Sequence, residues 1–221
     1  MNKLGTIQKS GGIKNLKMLR YGEYHKKELK TLKQPQIEEY EINACTMYVE
    51  PVIYGGKVYS RAVELEDEYL SPFKPLDIIK KSCLYFGVDY ESRKKGTRLL
   101  IGYSRKIPII IEPTFHIYFF PTASPLSPEC IWIALEHIES YRRISSKKTM
   151  VIFRNKQSHI FPVSVSKIEG QILRTSLLKT KLLQRIGSNG KKLIYMPNGP
   201  QTLNALEKSR EYDADHSKDP K

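Results

Sequence analysis

The sequence of 221 residues has no apolar run approaching the roughly 20 residues that a membrane-spanning helix needs. Its first residues lack the apolar h-region of a secretory signal. Both absences set the expectation of a cytoplasmic protein with no membrane partner. Cysteine is scarce: Cys45, Cys83 and Cys130 are odd in number, far apart and free of C-x-x-C pairing. Neither a disulfide framework nor a zinc site is suggested, and all three read as small buried hydrophobes. The five histidines, His25, His116, His137, His159 and His216, show no ligand spacing, and there is no Gly-rich phosphate loop. Lacking convergent nucleophiles, bases or ligands, the chain is expected to be no enzyme and to carry no metal or cofactor. A basic nuclease drawing on Glu112, Glu136 or Glu139 with Lys106 or Lys147 is the nearest enzymatic reading, but nothing in the sequence brings those groups together.

What the chain has in excess is positive charge. It carries 37 Lys or Arg against 23 Asp or Glu, a formal net charge of +14, and such an excess attracts a polyanion at long range. The charge is unevenly spread. Residues 1–36 hold nine Lys or Arg and two Glu without a sustained apolar face, which reads as a flexible basic arm; Met18 is an alternative start. Such an arm adds phosphate contacts without sequence preference. Between residues 37 and 72 the balance reverses, with eight acids against Lys57 and Arg61. Residues 41–49 and 57–63 there read as two strands joined at Gly55-Gly56. Glu64, Glu66, Asp67 and Glu68 form an acidic cluster, but successive strand residues point to opposite faces, so they read as solvated rather than as ligands. Acids beside a basic surface can also restrain indiscriminate polyanion binding.

The densest basic stretch lies within residues 73–122. Pro75 suits the first turn of a helix in which Leu76, Ile79, Cys83 and Phe86 recur at helical spacing, with Gly87 as its stop. Residues 90–98 follow as a basic turn, and from Glu91 to Lys106 six Lys or Arg, namely Arg93, Lys94, Lys95, Arg98, Arg105 and Lys106, face one Glu. Residues 99–103, 107–112 and 116–120 read as short buried strands.

The ordered series KPLDIIKKSCLYFG, Tyr90 with SRKKGT, KIPIIIEP, IYFFPT and Trp132-Ile133 resembles the competence transcription factor ComK family of Gram-positive bacteria. YEINACTM near Tyr40 and ILRTSLLKTKLLQRI near the C-terminus extend the likeness over about residues 40–186. The motif matches fall on Lys94, Gly96, Pro108, Pro113, Pro121 and Trp132; at Lys95 a small residue fits the family equally well. The resemblance implies a transcriptional activator of DNA-uptake genes that recognises A/T-rich boxes largely through the minor groove. It also implies dimers that pair into tetramers, action alongside RNA polymerase, and removal by an adaptor and protease.

The remaining chain supplies secondary candidates. Residues 121–130, with three prolines, read as a stiff connection, and Trp132 as packed rather than as a base-stacking platform. Arg142 and Arg143, with Lys147 and Lys148, form a second basic cluster. It leads into a hairpin over residues 149–163 whose turn near Asn155 carries Arg154 and Lys156. Ser166 to Glu169 reads as a capping box opening a helix to about Ile186, with Gly187 as its C-cap. Ile168, Ile172, Leu178, Leu182 and Ile186, widened by Leu173 and Leu177, form a broad apolar stripe. Its breadth fits either a subunit contact or a helix wholly within the core. Arg174, Lys181 and Arg185 align on one face of the same helix.

The expectation is an α+β fold, mostly antiparallel sheet with hairpins and about two main helices. Residues 37–187 would form the DNA-binding domain, between the arm at 1–36 and a partly disordered tail at 188–221. The partner expected is A/T-rich double-stranded DNA, bound by a homodimer or tetramer. The alternative is an RNA-binding or ribosome-associated protein stacking bases on Tyr90, Tyr103 or Tyr118. Against it, Tyr118, Phe119 and Phe120 sit in a run so apolar that at least one face must be buried.

Overall fold

The computed structural model describes residues 39–194, with side chains to residue 188. The basic arm and most of the C-terminal tail, with a short helix expected near residues 203–212, lie outside the described residues. Six strands, β1 (Thr46–Tyr54), β2 (Lys57–Glu64), β3 (Glu68–Ser71), β4 (Ile109–Glu112), β5 (Ile117–Pro121) and β6 (Trp132–Ala134), make one sheet in the order β3-β2-β1-β6-β5-β4. A second sheet has the order β7-β8-β9, from β7 (Ile138–Ser145), β8 (Lys148–Phe153) and β9 (Ser158–Phe161). Every pairing is antiparallel. Three helices complete the described chain: α1 (Pro75–Tyr85), α2 (Tyr90–Ile101) and α3 (Val165–Ile194). The α+β class with mostly antiparallel sheet is as expected, and a third helix is added to the two foreseen.

The larger sheet is covered on both faces, which explains why its central strands read as continuous apolar runs rather than as alternating ones. Val49, Ile109, Ile111, Phe119 and Trp132 pack on one side with Ile78, Ile79 and Cys83 of α1 and Tyr90 of α2. Their chain neighbours Tyr48, Phe120 and Ile133 point the other way. There they meet Val151, Phe153 and Phe161 of the small sheet and Ile168 of α3. Each fully buried side chain of this size contributes roughly 1.5–3 kcal/mol. Trp132 is fully buried, so it is a core residue. The β1–β2 turn uses Gly55 and Gly56 at φ 57° and 76°, the paired positive φ of a tight hairpin.

Several local expectations are corrected. Residues 90–101 form helix α2, capped at Gly102, in place of the basic turn and the strand expected over 99–103. The acidic cluster runs into strand β3, which sequence patterning missed because it is only four residues long. Helix α3 begins at Val165, where Lys167 and Ile168 donate to the Ser164 carbonyl, so Ser166 is not its cap. It also runs through Gly187 to Ile194. Its buried stripe is Ile168, Gln171, Thr175 and Leu178, while Leu173, Leu177 and Ile186 are exposed. Cys45 is exposed, whereas burial pushes the Cys83 and Cys130 thiols up to about 11.

One buried ionic cluster joins the two sheets. Glu50 of β1, only 2% exposed, accepts from Arg61 of β2 and lies 3.5 Å from His159 Nε2 of β9. The Tyr48 hydroxyl is 3.2 Å from His159 Nδ1, and Arg61 also reaches Glu68. Burial alone would push the Glu50 carboxyl up, but His159 and Arg61 outweigh it and hold it below the ordinary carboxylate range. A depressed folded pKa contributes stability above the unfolded value and loses it as pH falls through the folded one. Thermal melts between pH 7 and pH 3 should therefore show the native chain losing stability on the acid side of the carboxylate range. Glu50→Gln should be less stable at pH 7, by about 3–5 kcal/mol for a broken buried pair, and less pH-dependent.

Candidate nucleic-acid interface

The central basic stretch is helical because its ends are capped from within the sequence. Asp89 accepts from the Ser92 amide at 2.9 Å, and Gly102, at φ 75°, donates to the Arg98 carbonyl. These are an N-cap and a left-handed C-cap. Between them Arg, Lys and Leu favour helix enough to carry the interior Gly96, whose penalty is about 1 kcal/mol relative to Ala. Tyr90, Thr97 and Ile101 form the buried stripe.

Helical geometry divides the cations that the sequence groups together. Arg93 and Lys94 flank the buried stripe, while Lys95 and Arg98 face outward. The Arg93 guanidinium turns inward, its Nη2 donating to the Ile111 carbonyl at 3.4 Å. Its buried Nε has no hydrogen-bond partner among the described residues. Lys94 pairs with Glu91 at 3.0 Å and lies 5.6 Å from the centre of the Tyr90 ring. Both are thus engaged by the fold.

Helix α3 brings its own cations to this helix. Ile101 of α2, Ile110 and Tyr118 of the sheet and Leu178 of α3 share a small core, with Leu100 and Leu182 against it. Around that seam α3 grips the connection after α2. The Lys181 ammonium donates to the Leu100 carbonyl at 2.9 Å, a cation at the negative end of a helix dipole. Arg174 donates to the Arg105 carbonyl at 3.4 Å, and its guanidinium stacks 4.4 Å from the centre of the Tyr103 ring. Buried Gln171 donates to the carbonyls of Lys106 and Pro121. Lys106 has a left-handed backbone, φ 50°, which Gln171 holds in place. Arg185 lines a shallow concavity with Leu100, Lys181, Gln184 and Ser188.

Arg105, Arg174, Lys181 and Arg185 therefore belong to one seam between the end of α2, its following loop and α3, while Lys95 and Arg98 stand exposed on the outward side of α2. The loop and helix that supply the seam lie about 70–80 residues apart in sequence, so the end of the basic stretch and the helical row of the sequence reading meet there. The four remaining candidates lie elsewhere, on the small sheet. Arg142 and Arg143 are on β7, and Arg154 and Lys156 follow β8, where Lys156 pairs with Glu139 at 2.7 Å. Gln171 and Tyr103 were not singled out for this surface by sequence. A polar Gln at stripe position i+3 from Ile168 was the available signal, since a buried amide must find partners.

A cationic seam lies on an α+β scaffold, and among the described residues no group of His, Cys, Asp or Glu could hold a metal. No helix among those residues is long and apolar enough to cross a membrane. Residues 37–187 match the family model described as ComK protein. The chain is 36% identical over 150 residues to the competence transcription factor of Bacillus subtilis (strain 168), covering 68% of this chain and 78% of that protein. No solved structure matches it. The chain belongs to the ComK family, that of competence transcription factors.

The inward position of Arg93 separates stability from surface charge. Arg93→Glu should lower the thermal midpoint, at a cost of about 1–3 kcal/mol for a lost buried polar contact, while Arg98→Glu should leave it within error. Thermal melts of the two variants check this.

Proposed function

We propose that this chain is a cytoplasmic, sequence-specific DNA-binding activator of competence genes, and that the outward face of α2 together with the α2–α3 seam is its main DNA contact. The observation that carries the reading is the meeting of the loop at Arg105 with Arg174, and of the end of α2 with Lys181, in a chain of this family. Cations held by packed helices neutralise phosphates and supply affinity that falls with salt. One or two arginines then enter the minor groove of A/T tracts, where narrowing deepens the negative potential. Arg98 and Arg185 suit that task better than Arg93 and Lys94, which have protein partners. Minor-groove edges separate A·T from G·C but not A·T from T·A, so one box carries little information. Reading several boxes at once requires a homodimer or tetramer. Residues 37–187 are the DNA-binding domain of this reading.

The Arg98→Ala, Arg185→Ala double variant should bind a duplex bearing paired A/T boxes at least tenfold more weakly. Its log Kd against log salt slope should fall by about 1.8, at roughly 0.9 per phosphate contact. Unchanged affinity and slope remove the seam from the interface. Mixed-sequence DNA and duplex RNA should compete less well than the A/T-box duplex, and equal competition would favour a general polyanion or RNA binder.

A further inference from the structure

Four strands are sheet edges in this fold: β3 and β4 in the larger sheet, β7 and β9 in the smaller. An edge presents unpaired N–H and C=O groups, so natural edges are kept short, covered or interrupted. Three of the four follow that rule. β3, β4 and β9 have four residues each, β9 runs into Pro162, and Arg93 of α2 takes the Ile111 carbonyl of β4. β7 does not. It has eight residues, Ile138–Ser145, and no proline. Among the described residues, no backbone bond outside its ladder with β8 reaches residues 139–145. Ile138 and Tyr141 are half-buried, and the other six residues of the strand are exposed.

We propose that the open edge of β7 accepts an extended acidic segment of a protein partner as an added strand. This contact is independent of the DNA-binding reading, because it consumes main-chain groups that a duplex does not need. An added strand pairs the outward amides and carbonyls of β7 and sets its side chains about 5 Å from those directly opposite. Adjacent strand residues point to opposite faces, so Arg142 and Arg143 offer one exposed cation on each side of the sheet. Lys147 and Lys148, also exposed, follow at the turn. No Asp or Glu occurs between Glu139 and Glu169, and Glu139 itself is taken by Lys156 at 2.7 Å. A segment with two adjacent carboxylates at its centre therefore meets opposite charge on both faces, and Ile144, 45% exposed, adds an apolar contact beside them. A second copy of β7 is the poorer occupant. Paired antiparallel about the exposed half of the strand, it would bring Arg142 and Arg143 against their own counterparts, and like charges directly opposite repel.

The test uses the full chain and a short probe peptide of threonine and valine, as long as β7, with two adjacent glutamates at its centre. Hydrogen exchange of the β7 amides and fluorescence anisotropy of the labelled peptide are read together. Saturating peptide should slow the outward amides of residues 139–145 by about tenfold and leave the other sheet edges unchanged. N-methylation of alternate residues along the bonding edge of the peptide, or lysine in place of its glutamates, should weaken binding by about tenfold. Arg142→Glu with Arg143→Glu should reverse the choice, so that the lysine peptide binds better than the glutamate peptide. The peptide arms use the native chain and decide the matter even where that variant does not fold. A glutamate peptide that binds equally well when N-methylated, or that leaves β7 exchange unchanged, overturns the proposal. If a mixed-sequence DNA duplex slows the same amides as strongly as the peptide does, the edge is a nucleic-acid contact and the proposal falls. If those amides are already slow in the free chain and quicken on dilution to monomer, a second copy fills the edge and the proposal falls as well.

Discussion

The buried amide of Gln171 is the joint on which the candidate surface depends. From inside α3 it donates to Lys106, at the end of the loop after α2, and to Pro121, at the end of β5. A buried carbonyl left without a donor costs more than an average hydrogen bond contributes, so the loop has one seat on the helix rather than many. Seating it sets Arg105 beside Arg174 and Leu100 beside Lys181. The cations there are held by packed backbone, which spares part of the entropy that free side chains lose on meeting a polyanion.

A second constraint acts between the sheets. The larger sheet is apolar on both faces, and the small sheet covers one of them with Val151, Phe153 and Phe161. Apolar contact is poorly directional, so it does not by itself fix how one sheet lies on the other. The Glu50, Arg61 and His159 cluster is directional and sits at that junction. Charged groups there add little net stability over apolar ones, but a mispacked junction would leave a buried carboxylate unpaired, and that penalty favours a single arrangement.

These two joints give the molecule a division of labour in charge. Three of the eight acids of residues 37–72 are engaged within the fold: Glu50 and Glu68 hold Arg61, and Glu64 accepts from Tyr40 and Asn43. Exposed cations gather around α2, its following loop and α3 and at the ends of the small sheet, with Lys57, Lys74 and Lys80 elsewhere.

The sequence by itself determined the class of fold, the α1 helix, the Gly55-Gly56 hairpin, the buried Trp132 and the family. Each rests on local spacing, turn chemistry or an ordered series of motifs, which are properties of the chain read in one direction. It misread residues 90–103 because Gly96 and a dense run of cations look like a turn, although Asp89 and Gly102 were legible as caps in retrospect. Only the tertiary structure decided that Arg93 turns inward while Arg98 faces out, and that Arg105 and Arg174 share a seam. It alone also decided that Arg142 and Arg143 stand on a sheet edge. Those facts depend on which side of a helix or strand meets the core and on contacts between residues tens of positions apart. Neither quantity is local, and the free energy that selects them comes from burying α2, α3 and both sheets together.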